Sequence, residues 1–286
     1  MSKSNGAPPE APLPLAAPVI DSHTHLNLHD RYLHGDDAPD ADGMLALAAS
    51  VNVGKVVQIG CDVDYARHSL EIARDRPDVV VGVSVHPNDA ARIAERDGMA
   101  ALDAAIDEIA VLARDPKVFA VGETGLDYFR TAEELHAAQK HSFARHIALA
   151  KELGKALVIH DRDSHDDVLA LLEQEGAPER TVFHCFSGDA AMARHCAERG
   201  YYMSFAGPIT YKANDDLRAA LDEVPDELLL VETDAPYLTP VPHRGKANAS
   251  YLMPHTVRFM AERRGVAEAA MCNQLFANTQ RAFGQW

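Results

Sequence analysis

The chain has little of several things that would decide its class at once. Its four cysteines, Cys61, Cys185, Cys196 and Cys272, show no Cys-x-x-Cys spacing. That gives no support to a zinc finger or disulfide scaffold and suits reduced thiols in the cytoplasm. No apolar run approaches the roughly 20 residues needed to cross a bilayer, so no membrane partner is expected. Residues 1–17 carry one lysine and several prolines where a signal peptide needs an apolar helix. They read as a flexible lead-in rather than a targeting segment. No Gly-x-Gly-x-x-Gly follows the first apolar run, so a dinucleotide-binding sheet has no support. Positive charge is scarce as well: 27 Lys and Arg against 43 Asp and Glu leave a formal net charge of −16. This argues against a broad basic surface for duplex nucleic acid, but not against a narrow site where cations and a few arginines meet a phosphate. Aromatic residues are 6% of the chain; Tyr128, Phe129, Tyr211 and Tyr237 are the candidates for stacking bases.

What is present is enough apolar material for a full core, 47% against 24% charged. Short apolar runs of strand length recur at Pro18–Asp21, Lys55–Gly60, Val79–Val85, Val118–Gly122, Ala156–His160, Thr181–His184, Tyr201–Phe205 and Leu228–Glu232. Nearly continuous apolar character at that length predicts strands buried on both faces of a parallel sheet. Helical patterns lie between and after them, among them Asp64–Asp75, Met99–Ala113, Glu133–Leu153, Ser164–Glu175, Ala190–Arg199, Asp215–Asp222, Pro254–Arg264 and Ala267–Phe283. Eight strands alternating with helices predict an α/β protein, a (β/α)8 TIM barrel, in one domain spanning 18–286.

In such a barrel the chemistry sits at the C-terminal strand ends. The first strand runs into Asp21-Ser22-His23-Thr24-His25, where strict alternation puts Asp21, His23 and His25 on one face. Neutral imidazoles two residues apart can grip one cation. Alternation along the fourth strand groups Phe119, Val121 and Glu123. The fifth strand ends in His160, the sixth in His184, and Asp234 follows the eighth. Each alone suits a hydrogen-bonded structural residue or a turn. Four histidines and two carboxylates at the same end are costly to bury together unless cations neutralise them, and six such ligands suit two metal ions.

Several motifs resemble those of the TatD family of metal-dependent deoxyribonucleases: Asp-Ser-His-Thr-His-Leu (21–26), Gly-Glu-Thr-Gly-Leu-Asp-Tyr (122–128), Val-Ile-His-Asp-Arg (158–162), His-Cys-Phe-Ser-Gly (184–188) and Glu-Thr-Asp-Ala-Pro-Tyr-Leu (232–238). Pro242-His243-Arg244-Gly245-Lys246 with Asn248 adds to the likeness, which runs from about Val19 to Phe283. The resemblance implies His23, His25 and Asp234 on one divalent ion and His160 and His184 on a second, with Glu123 bridging. Mg, Mn or Zn are the ions considered. It further implies a metal-activated water attacking phosphorus, with Glu123 and Asp234 as catalytic residues, and 3′–5′ exonuclease action on single-stranded DNA ends; with nothing beyond the barrel, a monomer is expected. Asp234 is the candidate for orienting that water. His86, Tyr128, Arg130, Arg162, His243, Arg244 and Lys246 are candidate substrate contacts. Asn88, Ala249 and Ser250 stand where relatives often carry His, Glu and Pro. The remaining histidines, His29, His34, His68, His136, His141, His146, His165, His195 and His255, are expected to be structural or on the surface. Two other readings compete. One is a metal-dependent amidohydrolase or esterase acting on a carbonyl centre such as an aminoacyl-tRNA ester, which often carries a bridging lysine where this strand has Glu123. The other is a non-catalytic barrel, which predicts eroded ligands.

Overall fold

The computed structural model describes residues 8–26 and 40–286; His29 and His34 lie outside them. Eight strands follow in chain order in one sheet: β1 (Val19–Thr24), β2 (Val53–Gly60), β3 (Val79–Val83), β4 (Val118–Asp127), β5 (Ala156–Arg162), β6 (Thr181–Phe183), β7 (Tyr202–Phe205) and β8 (Leu229–Val231). The alternating helices are α1 (Ala41–Ser50), α2 (Val63–Ala73), α3 (Pro87–Asp97), α4 (Met99–Leu112), α5 (His136–Leu153), α6 (His165–Glu175), α7 (Ala190–Glu198), α8 (Asp215–Glu223), α9 (Met253–Arg264) and α10 (Glu268–Phe283). Parallel pairing joined to this alternation is the (β/α)8 barrel topology. No helix among the described residues is long and apolar enough to cross a membrane. The chain forms two compact units, one of residues up to Gln58 with Gly188–Arg281, the other of Ile59–Ser187 with Ala282–Trp286.

In the first unit β1 pairs with β2 and β7 with β8, and the isolated bridge Thr24–Ala235 carries β1 onto the segment after β8. All six β1 residues are buried, polar ones included. The expected flexible lead-in is, in its described part, docked instead. Leu15 is buried and its N–H donates to Val51 O, while Arg258 donates to the carbonyls of Leu13 and Pro14. Glu268 accepts from Ala16 N–H and Tyr251 Oη donates to Pro9 O. Covering one leucine stabilises by about 1.5–3 kcal/mol, and these bonds satisfy a prolyl backbone that can form no helix of its own.

In the second unit β3, β4, β5 and β6 pair in succession. Every residue of β3 and β6 is buried, as parallel strands covered on both faces require. β4 is twice its expected length and β5 extends to Arg162, so Glu123, Asp127 and His160 lie within strands. The β4 ladder shifts register between Val121 and Thr124. Parity counted from Phe119 therefore does not hold across to Glu123, and Phe119 packs edge-on against Trp286. Gly125, at φ +132°, sits where a Cβ would fall 2.1 Å from His160 O. Only glycine lets β4 approach β5 this closely at His160.

Candidate metal-binding site

The six expected ligands fall into two sets, one in each unit. In the first, His23 Nε2 and His25 Nε2 stand 3.3 Å apart, and Asp234 Oδ1 lies 3.7 and 3.5 Å from them. At these distances that oxygen lies beyond an ordinary hydrogen bond to either ring. Ligand atoms about 2.1 Å from a shared cation are themselves about 3.0–3.5 Å apart, so the donor set and its spacing fit one divalent ion. The backbone brings these side chains together. Asp234 N–H donates to His23 O at 3.0 Å and His25 N–H to Ala235 O at 2.9 Å. Asp234 adopts φ +52°, a left-handed conformation that Asp tolerates better than most residues.

Asp21 does not join this set. Its carboxyl accepts the N–H and O–H of Thr233 and the N–H of His23. Burial raises it to about 7 despite those bonds. It thus fastens the residue beside Asp234, and Asn248 fastens the same residue by donating to Thr233 O at 2.8 Å.

In the second unit three imidazoles converge on one carboxylate oxygen. Glu123 Oε1 lies 2.6 Å from His160 Nδ1, 2.8 Å from His184 Nε2 and 3.4 Å from His86 Nε2. Burial pushes the Glu123 carboxyl up, but His184 and His86 with the histidine hydrogen bonds override it and hold it well below the usual range. It stays ionised, the state in which a carboxylate binds a cation. Ser84 Oγ donates to Glu123 O at 2.6 Å, and Cys61 Sγ lies 3.7 Å from Glu123 Oε2.

Asp127, which sequence reasoning passed over, organises the rest. Its Oδ2 is 3.2 Å from His160 Nε2 and accepts from Asn88 Nδ2 at 2.9 Å; its Oδ1 accepts from Arg130 N–H. Burial alone would raise its carboxyl, but the bonds from His160 and Asn88 hold it far below the ordinary value. Burial likewise opposes the charge on His160, yet the bonds to Asp127 and Glu123 raise its pKa overall. A carboxylate on the outer nitrogen of a ligand histidine is the usual orienting device of metal sites. With Nε2 on Asp127, Nδ1 is the ring nitrogen on the Glu123 side. The available signal was the 122–128 motif itself, where Glu123 and Asp127 stand four residues apart, an even spacing along a strand. Asn88 belongs to this network, its Oδ1 accepting from Thr131 Oγ1.

The expected substrate contacts are spread over both units. His86 Nδ1 accepts from Asn88 N–H, so the neutral ring carries its proton on Nε2 and faces Glu123 as a donor. Tyr128 stacks on His136 at 3.6 Å and donates to Asp167, beside an open cavity of ≈ 530 Å³ lined by Glu133, His136, Lys140 and Asp167. Arg130 is exposed, and the Arg162 guanidinium lies 4.0 Å over the Phe129 ring. In the first unit Arg244 lies 4.2 Å over Tyr211, the His243 ring is 5.1 Å from His255, and Lys246 N–H donates to His243 O.

The model of the family described as TatD related DNase matches residues 20–284. Over 272 residues the chain is 40% identical to an uncharacterized metal-dependent hydrolase, TatD, of Mycobacterium tuberculosis, covering 93% of this chain and 98% of the relative. A protein of Escherichia fergusonii named 3′-5′ ssDNA/RNA exonuclease TatD is 33% identical over 86% of this chain and 94% of its own length. Among solved structures, that of YJJV, a TatD homologue from Escherichia coli, superimposes with a TM-score of 0.82 at 25% identity, covering 94% of this chain and 98% of that one.

Proposed function

Because the chain belongs to the TatD related DNase family and is a metal-dependent hydrolase, we propose that it hydrolyses phosphodiester bonds of single-stranded DNA from the 3′ end. The observation that carries this is the pair of imidazole–carboxylate sets, each with donor atoms 2.6–3.7 Å apart. The name of the Escherichia fergusonii relative supports the strandedness and polarity. On the family resemblance, the two sets would hold two divalent ions. His23, His25 and Asp234 would hold one, His160 and His184 the other, and Glu123 would be shared. Bound ions would supply Lewis acidity, acidifying water and offsetting charge on the phosphoryl oxygens.

The chain's own groups do the rest. Asp234, the more exposed carboxylate, orients the attacking water and accepts its proton on Oδ1. His86 Nε2–H and the guanidinium of Arg162 supply donors for the phosphate, the arginine bidentately. The loop carrying His243, Arg244 and Lys246 gives an otherwise acidic chain a local cationic grip on the strand.

The test is to strip the protein with EDTA, restore Mg, Mn or Zn, and follow 3′- and 5′-labelled single strands. A metal-restored ladder shortening from the 3′ end, absent in His160→Ala, is expected. No cleavage with any metal, beside turnover of an ester or amide panel, would transfer the assignment to the carbonyl hydrolase.

A further inference from the structure

We propose that Phe129, with Arg162 packed on its ring, is a platform on which a nucleobase of the single strand stacks. The inference rests on the nuclease reading above and names how a base, rather than a phosphate, is held.

Phe129 is 62% exposed and is the one aromatic residue among the exposed large hydrophobic side chains of the described residues, the others being Leu13, Met99, Val111, Val241 and Val266. Its ring is already a π-surface in use, with the Arg162 guanidinium 4.0 Å from the centroid. The pair is fastened to the strand ends that carry the second ligand set. Asp127 pairs with Arg162 and Gly125 with His160, and Tyr128 N–H donates to Arg162 O at 2.9 Å. Arg162 is two residues beyond His160, about 7 Å along a strand, within reach of a nucleotide whose phosphate lies at that set.

The three other candidate rings have partners of their own, Tyr237 standing edge-on to His25 with ring centroids 6.3 Å apart. Tyr128 is stacked on His136 with its hydroxyl on Asp167, and the Tyr211 hydroxyl donates to Thr239 O. A net charge of −16 removes the general electrostatic pull on which many single-strand binders rely. Base stacking is independent of that pull, and because Phe has no hydrogen-bonding group it accepts every base. The platform therefore predicts broad base tolerance, with purines held more firmly than pyrimidines.

The experiment compares Phe129→Ala, Phe129→Trp and the unaltered protein on two metal-restored substrates. One is an ordinary single strand; the other carries abasic tetrahydrofuran residues over its terminal nucleotides. Phe129→Ala is expected to raise KM about tenfold on the ordinary strand, within the range of one lost stacking contact, with kcat nearly unchanged. Phe129→Trp should restore it, and on the abasic strand all three proteins should match. An unchanged KM on the ordinary strand, or an equal loss on both strands, overturns the platform. A separate reading in EDTA uses a strand with terminal 2-aminopurine, whose fluorescence changes on stacking. If no protein cleaves DNA but the fluorescence change is lost in Phe129→Ala alone, the platform stands and the nuclease reading fails. If neither cleavage nor a fluorescence change occurs, both fall.

Discussion

The two ligand sets are built from similar residue types but are supported in different ways. In the first, main-chain bonds do the positioning: Asp234 N–H on His23 O, His25 N–H on Ala235 O, with Asp21 and Asn248 both fixed on Thr233. In the second, side chains hold side chains: His160 lies between Glu123 and Asp127, and Asp127 is held by Asn88 and by the N–H of Arg130. A backbone-held set is as rigid as the strands that carry it, so damage to it should appear as lost stability. A set held by side chains can lose its aim while the fold survives. The difference predicts which substitutions separate function from folding.

The largest effect is expected at Glu123, on which three imidazoles converge. Glu123→Ala should abolish metal-dependent turnover and leave the circular dichroism spectrum of the barrel unchanged. Retained turnover in a folded, metal-replete variant would overturn the metal-binding role proposed for Glu123.

The second unit also depends on a histidine that must stay neutral. Burial pushes His146 down to about 4 from an ordinary 6.5, while its Nε2 accepts Val85 N–H, the residue before His86. A folded-state pKa below the unfolded one means stability that is full above 6.5 and is lost as pH falls through about 4. The loss should reach on the order of 3 kcal/mol across that window. In His146→Gln, whose amide oxygen can still accept from Val85 N–H, that part of the pH-dependent slope should disappear. Urea unfolding at several pH values measures it, and an undiminished slope would place the titration elsewhere.

Asp127 tests the side-chain-held set itself. Asp127→Asn should weaken metal binding about 10–100-fold, the usual result of altering a partner of a ligand histidine, with little change in Tm. Competition against a chromophoric chelator reads the affinity directly. A fall in Tm without a change in affinity would make Asp127 a fold residue rather than an orienting one.

This contrast also explains what could be read from the sequence. Strand positions were legible because parallel strands buried on both faces are nearly continuous apolar runs. The two imidazole–carboxylate sets were legible because six ionisable residues at the same end of such runs are costly to bury together without cations. Helices α1 and α3 were not singled out. The first is rich in alanine with weak apolar–polar contrast, and the second opens on Pro87 within the His-Pro-Asn stretch. That Asp21 stays out of the histidine set was not legible, because alternation says which face a side chain takes, not that Thr233, more than 200 residues away, satisfies it. The His160–Asp127–Asn88–Thr131 chain was equally hidden, since each link joins different elements. Parity along β4 failed at a register shift, a feature that apolar pattern does not encode.

The smallest expected effect falls on the backbone-held set. Asn248 is fully buried, donates from Nδ2 to Thr233 O, and accepts the neighbouring Ala249 N–H on Oδ1. Asn248→Ala removes both partners and should cost about 1–3 kcal/mol, the penalty for leaving buried backbone groups unpaired. Thr233 adjoins Asp234, and the Asp21 carboxyl still grips it from the other side, so metal affinity should change less than in Asp127→Asn. Measured together, the two variants should fall on opposite sides of the line between lost stability and lost affinity. If Asn248→Ala instead weakened metal binding as much as Asp127→Asn with Tm unaffected, the first set would also be aimed by its surroundings, and the division between the two would be one of residue type alone.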